Sequence, residues 1–141
     1  IGVALDEALA KRARAEAARN PRYRWLGQQS HIRTRRILAR SHLVCITSRM
    51  EGSSNVLSEA LASGVPVIAT KISGLIGTLG KMFPGYFPVG DTAKLRDLLL
   101  RAEKDRAFYR QLQRHCARGA KWVRPKRELD TWRRLLHEIQ T

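Results

Sequence analysis

The sequence predicts an α/β fold built on a doubly wound parallel sheet, and three observations carry that prediction. Two short apolar runs, LVCIT at 43–47 and PVIAT at 66–70, alternate with stretches of helical periodicity. LVCIT shows no in–out alternation and reads as a strand buried on both faces, and PVIAT reads as a further strand of the same parallel sheet. A chain of 141 residues with 43% hydrophobic residues is also long enough to bury one ordinary core.

The elements follow in order. Asp6 caps a helix over 7–19, with Leu9, Ala10, Ala13 and Ala17 on one stripe, and Asn20-Pro21 stops it. RYRWL at 22–26 reads as a short strand. Ser30 opens a helix over 30–41 that carries Ile32, Ile37 and Leu38 and leads into the strand at 43–47. A helix from Ser54 to Ser63 turns Val56, Leu57, Ala60 and Leu61 inward and closes at Gly64, a glycine C-cap. After the strand at 66–70, the glycine- and proline-rich segment 72–90 reads as a loop ending in a short edge strand at Tyr86-Phe87-Pro88. Asp91-Thr92 then caps a helix with Leu95, Leu98, Leu99 and Ala102 at amphipathic spacing. Helices over 106–118 and 126–140, opened by Asp105 and Pro125, close the chain.

Composition excludes several classes. The hydrophobic content is too high for a disordered chain, and no apolar run approaches membrane-spanning length. Two cysteines, Cys45 and Cys116, are too few for a disulfide scaffold and point to a reducing, cytoplasmic setting, with Cys45 as a small core residue. Ile1 as the first residue reads as the start of a piece of a longer protein. The net charge of +15 is unevenly spread. Residues 11–40 carry ten Lys/Arg against one Glu, residues 94–134 carry fourteen against five, and residues 41–93 balance three against three. The electrically neutral middle holds the most informative chemistry.

In an open parallel sheet, ligands bind beyond the carboxyl ends of the strands. After the strand at 43–47 comes Ser48-Arg49-Met50-Glu51-Gly52-Ser53-Ser54-Asn55, a polar loop that opens directly into a helix. Free N–H groups at such a helix start suit a phosphate or diphosphate. Gly52 lets the backbone approach closely, and Ser53, Ser54 and Asn55 add donors. Glu59 sits one turn inside the helix, on the face of Asn55. A carboxylate there can accept from two vicinal hydroxyls, such as those of a ribose.

The run from Glu51 to Glu59, with seven residues between the glutamates, followed by ALASGVPVIAT at 60–70, resembles the E-x7-E region of family 4 glycosyltransferases of GT-B type. The resemblance covers roughly residues 20–140 and implies the Rossmann-like C-terminal half of such an enzyme. By that resemblance, Glu59 holds the ribose of a UDP-sugar and Glu51, the candidate catalytic residue, contacts the donor hexose. Amides from Gly52 to Val56 face the diphosphate or sugar, and the turn at Gly27-Gln28 lies against the base. Lys71 and Arg49 lie at strand ends and could stand in for the Arg and Lys that relatives carry for the diphosphate, though no motif marks them for it. The sugar donor is a substrate, and the resemblance implies neither a cofactor nor a metal.

A narrower likeness, carried by GLIGTLG at 74–80 and FPGYFPVGDT at 83–92, is to selenosugar synthases, which implies selenophosphate as acceptor. Relatives usually carry Gly-Gly followed by Glu after the PVIAT strand, and this chain does not. They also carry two earlier strands, with an Arg and a Lys for the diphosphate, and a separate N-terminal acceptor domain. Residues 1–141 therefore read as one nucleotide-sugar-binding domain, incomplete at its N-terminal side.

The competing reading is a non-catalytic basic module that binds nucleic acid or an anionic surface. Arg106, Arg110, Arg114 and Arg118 line up at i, i+4 spacing on one helix. No nucleic-acid motif accompanies them, and no aromatic residues interleave with the row, so specific nucleic-acid binding is not expected. Trp25, Trp122 and Trp132 read as packing residues. His31, His42, His115 and His137 lack metal-ligand spacing. The glycines at 74, 77 and 80 read as loop flexibility.

Overall fold

The structure, a computed structural model, describes residues 1–4, 6–123 and 125–140, with the side chains of 125–128 and 140 outside the description. It divides into two compact units, residues 1–37 and 38–141.

In the first unit, α1 (Glu7–Arg19) starts where the sequence predicts, because the Asp6 carboxylate accepts from the amides of Ala8 at 2.8 Å and Leu9 at 3.3 Å. Ala10 is its buried contact, while Leu9 is exposed. The segment 22–26 is not a strand. Its bonds are isolated: Tyr23 N–H donates to the Asn20 carbonyl at 3.0 Å, and the Trp25 indole donates to the Gly2 carbonyl at 3.2 Å. A strand needs a ladder, and no described strand pairs with this segment. Helix α2 (His31–Ala39) begins in this unit under Ser30, whose carbonyl accepts from Thr34 N–H, and it ends in the second. Ile32 points outward, 66% exposed, instead of joining the core.

The second unit holds the sheet. Strands β1 (Val44–Ile46), β2 (Val67–Thr70) and β3 (Tyr86–Phe87) are parallel and lie in the order β1-β2-β3. Val44 pairs with Val67, and Thr70 with Phe87. Parallel neighbours require crossovers, and helices α3 (Asn55–Ala62) and α4 (Ser73–Leu79) supply them. All four β2 residues are buried, as expected for the middle strand. The cover thins at the edge. Ile68 is fully buried, yet its β1 partner Cys45 is exposed, so β1 is not buried on both faces and Cys45 is not a core residue.

Helix α3 closes as the sequence predicts. Gly64 takes φ +71°, its N–H donates to the Leu61 carbonyl, and Val65 N–H reaches the Ala60 carbonyl at 2.9 Å. Leu57, Ala60 and Leu61 face inward, but Val56 is 46% exposed. Helix α4 replaces the expected loop. Two glycines and an N-terminus without a side-chain cap hide it from propensity, and burial of Leu75 and Leu79 holds it in place.

The remaining helices are α5 (Thr92–Lys104), α6 (Arg106–Gly119) and α7 (Pro125–Gln140). Asp91 caps α5 through Lys94 N–H at 2.8 Å, and Asp105 caps α6 through the amides of Ala107 and Phe108. Phe108, Leu112 and Cys116 of α6 join Leu57, Leu61, Leu75 and Leu98 in one core. Trp122 and Trp132, expected as packing residues, are more than half exposed.

The backbone amide of Phe108, with that of Ala107 and the Arg101 side chain, holds the Asp105 carboxyl below its usual range. A depressed carboxylate stabilises the fold above its unfolded value, and that stabilisation is lost as pH falls through the folded value. Asp105→Ala should therefore lower the melting temperature at pH 7, with a smaller gap from the wild type at pH 3. Thermal unfolding followed by circular dichroism at both values checks this.

Candidate functional site

The carboxyl end of β1 leads into the loop that holds most of the predicted site. Arg49 is exposed and lines a cleft of about 190 Å³ with Thr47, Thr70 and Asp91. Gly52, Ser53 and Asn55 are exposed around the start of α3. Ser54 is buried at 6%, and its hydroxyl oxygen accepts from Leu57 N–H at 3.2 Å. It is thus the N-cap of α3, and the helix occupies its oxygen.

The first intrahelical bond runs from Ser58 N–H to the Ser54 carbonyl at 3.0 Å, so the amides of Asn55 and Val56 precede the ladder. These are the donors, backed by the positive end of the helix dipole, that an anion meets. Glu59 lies one turn further along and is half-buried. Gly27 and Gln28 belong to the first unit, where Gly27 has φ +61° and its carbonyl accepts from Gly2 N–H.

Glu51 is held at its side chain and at its backbone. Its Oε1 accepts from the Ser48 hydroxyl at 2.6 Å. The Thr70 hydroxyl, buried at the end of β2, donates to the Ser48 carbonyl at 2.7 Å. Gly74 of α4 meets the Glu51 backbone so closely that a Cβ there would stand 2.0 Å from the Glu51 carbonyl oxygen. The other carboxylate oxygen, Oε2, is buried with no hydrogen-bond partner, and it is the one such side-chain atom among the described residues. A buried carboxylate oxygen without a donor is costly, and a ligand hydroxyl would relieve that cost.

Sequence reasoning missed Ser48, Thr70 and Gly74. The first two look like ordinary residues at strand ends, and only the pairing of β1 with β2 brings them together. Gly74 was legible as a glycine, but the neighbour that requires it lies in another segment.

Residues 3–121 match the family of glycosyl transferases group 1. The chain belongs to this family. Among curated proteins, the N-acetyl-alpha-D-glucosaminyl L-malate synthase of Bacillus anthracis is 34% identical over 89 residues, which are 62% of this chain and 23% of that protein. The chain thus spans less than a quarter of the length of this relative.

In this group 1 glycosyl transferase chain, the arginine row at 106, 110, 114 and 118 is exposed, opposite the buried face of α6. No helix among the described residues is long and apolar enough to cross a membrane, and no group of three or more His, Cys, Asp or Glu residues among them could hold a metal ion.

Two glycines of α4 separate close approach from flexibility. Gly77 has nothing within 4 Å of an added Cβ, so Gly77→Ala should stabilise the fold by up to about 1 kcal/mol through helix propensity. Gly74→Ala should destabilise it by at least about 1–3 kcal/mol, because the Glu51–Gly52 backbone must move. Urea unfolding of both variants checks this, and equal effects would contradict the packing described.

Proposed function

We propose that this chain is the donor-binding part of a family 4, GT-B-type glycosyltransferase that uses a UDP-sugar. The observation that carries the reading is the unpartnered, buried Oε2 of Glu51, in the loop that leads into the α3 start, where the amides of Asn55 and Val56 precede the helix ladder. An anion-binding helix start and a carboxylate in need of a donor are the two things that a sugar diphosphate satisfies together. Membership of the glycosyl transferases group 1 family supports the same reading.

In this account the amides of Gly52 to Val56 bind the diphosphate, and Ser53 and Asn55 add side-chain donors. Glu59 accepts from the ribose hydroxyls, and Glu51 accepts from a hydroxyl of the hexose or N-acetylhexosamine. Arg49 adds positive charge. Transfer breaks the bond between the anomeric carbon and the diphosphate oxygen and forms one to the acceptor. The helix start stabilises the negative charge that develops on the departing diphosphate, without a metal. Ser48 and Thr70 hold Glu51 at a fixed angle, so little reorganisation is needed when the sugar arrives.

The acceptor belongs to a separate domain, and the run FPGYFPVGDT favours selenophosphate. The relative named for an L-malate product makes a small organic acid the competing acceptor. Both are anions. Assay of donor turnover with each of the two separates them.

Glu59→Ala should weaken UDP binding by about 1–3 kcal/mol, the usual effect of losing hydrogen bonds to a charged acceptor. Glu51→Ala should leave UDP affinity unchanged and weaken the UDP-sugar selectively. Calorimetric titration of UDP and of UDP-N-acetylglucosamine into each variant checks both. Unchanged UDP affinity in Glu59→Ala would remove that residue from the site.

A further inference from the structure

A second cavity, of about 550 Å³, opens beside β3 and the end of β2 and shares Phe87 and Val89 with the Arg49 cleft, while none of the residues of the Ser48–Asn55 loop lines it. Its size suits a small organic ligand. Lys71 follows β2 directly, and its N–H is fixed to the Phe87 carbonyl at 2.9 Å. Lys81 follows α4. Both lysines line the cavity, and neither forms an ion pair among the described residues. The lining includes no carboxylate.

The opposite wall is apolar and rigid. Phe83 and Phe87 are buried, and Phe83 meets Tyr86 edge-on with centroids 5.1 Å apart. The Tyr86 hydroxyl donates to the Leu75 carbonyl at 3.3 Å, and burial pushes its pKa up to about 12, so the phenol adds no negative charge. Met82 stands at the rim, 86% exposed, where a bound molecule would cover it.

We propose that this cavity binds a small dianion with an apolar body, its charged head between Lys71 and Lys81 and its body against Phe83, Tyr86 and Met82. Two ammonium groups without a counter-charge call for two negative charges. The low-dielectric aromatic wall strengthens their attraction for the head and gains from the apolar body. The site uses neither the glutamates nor the helix-start amides assigned to the sugar donor, although Phe83 to Val89 belong to the run that favours selenophosphate as acceptor.

Phenyl phosphate is the probe. Calorimetry should show binding to the wild type, with affinity at least tenfold lower in the double variant Lys71→Gln/Lys81→Gln and at least tenfold lower for inorganic phosphate. Met82→Asp should also weaken it by placing a negative charge at the rim. All three positions are exposed, so the fold is spared, and circular dichroism verifies it. UDP should not compete with the probe. Unchanged affinity in the double variant, equal affinity for inorganic phosphate, or competition by UDP would each overturn the proposal. Loss of UDP binding with phenyl phosphate binding intact would count against the donor reading alone.

Discussion

The first turn of α4 lies so close to the Glu51–Gly52 backbone that position 74 has no room for a side chain. This contact fixes more than one turn. It places α4 against the loop after β1 and so sets the entry angle of the chain leaving β2. In the same loop one carboxylate oxygen of Glu51 is buried without a partner. The Thr70–Ser48–Glu51 hydrogen bonds act from the other side, joining the buried end of β2 to the same loop. A loop between a strand and a helix would ordinarily be mobile. Here the parallel pairing of β1 with β2 turns it into a supported shelf at the start of α3.

The distribution of charge fits that shelf. The strong positive balance of the chain lies in residues 11–40 and 94–134, and the segment with the shelf and both lysines of the second cavity is neutral. In both proposals, binding in the neutral segment is a matter of geometry: oriented amides, a fixed carboxylate and two ammonium groups that form no ion pair among the described residues. The arginines of α6 face solvent opposite the core, where water and salt screen them.

Much of this was legible in the sequence because it is local. Asp6, Asp91 and Asp105 each cap the helix that the spacing predicts, and Gly64 closes α3 through bonds to residues three to five positions away. The two apolar runs became β1 and β2, and the Glu51–Glu59 spacing drew attention to the loop before α3. The misses are nonlocal. RYRWL has strand-forming residues, but no described strand pairs with it, so propensity alone misled. Cys45 looked buried because its run is apolar, yet it sits on the edge strand, where cover is thin. Helix α4 has poor intrinsic propensity and exists because Leu75 and Leu79 are buried by residues far along the chain. Ser48 and Thr70 became partners only once the sheet register brought them together.

The central claim is that the start of α3 and the loop before it form the anion-binding shelf for a nucleotide diphosphate. The most direct test is to follow the backbone amide resonances of the 15N-labelled protein during titration with UDP. The account predicts saturable shifts concentrated at Gly52, Ser53, Asn55 and Val56, with little change along the arginine row of α6. Shifts confined to α6, or spread evenly over the basic segments and abolished by modest salt, would contradict it.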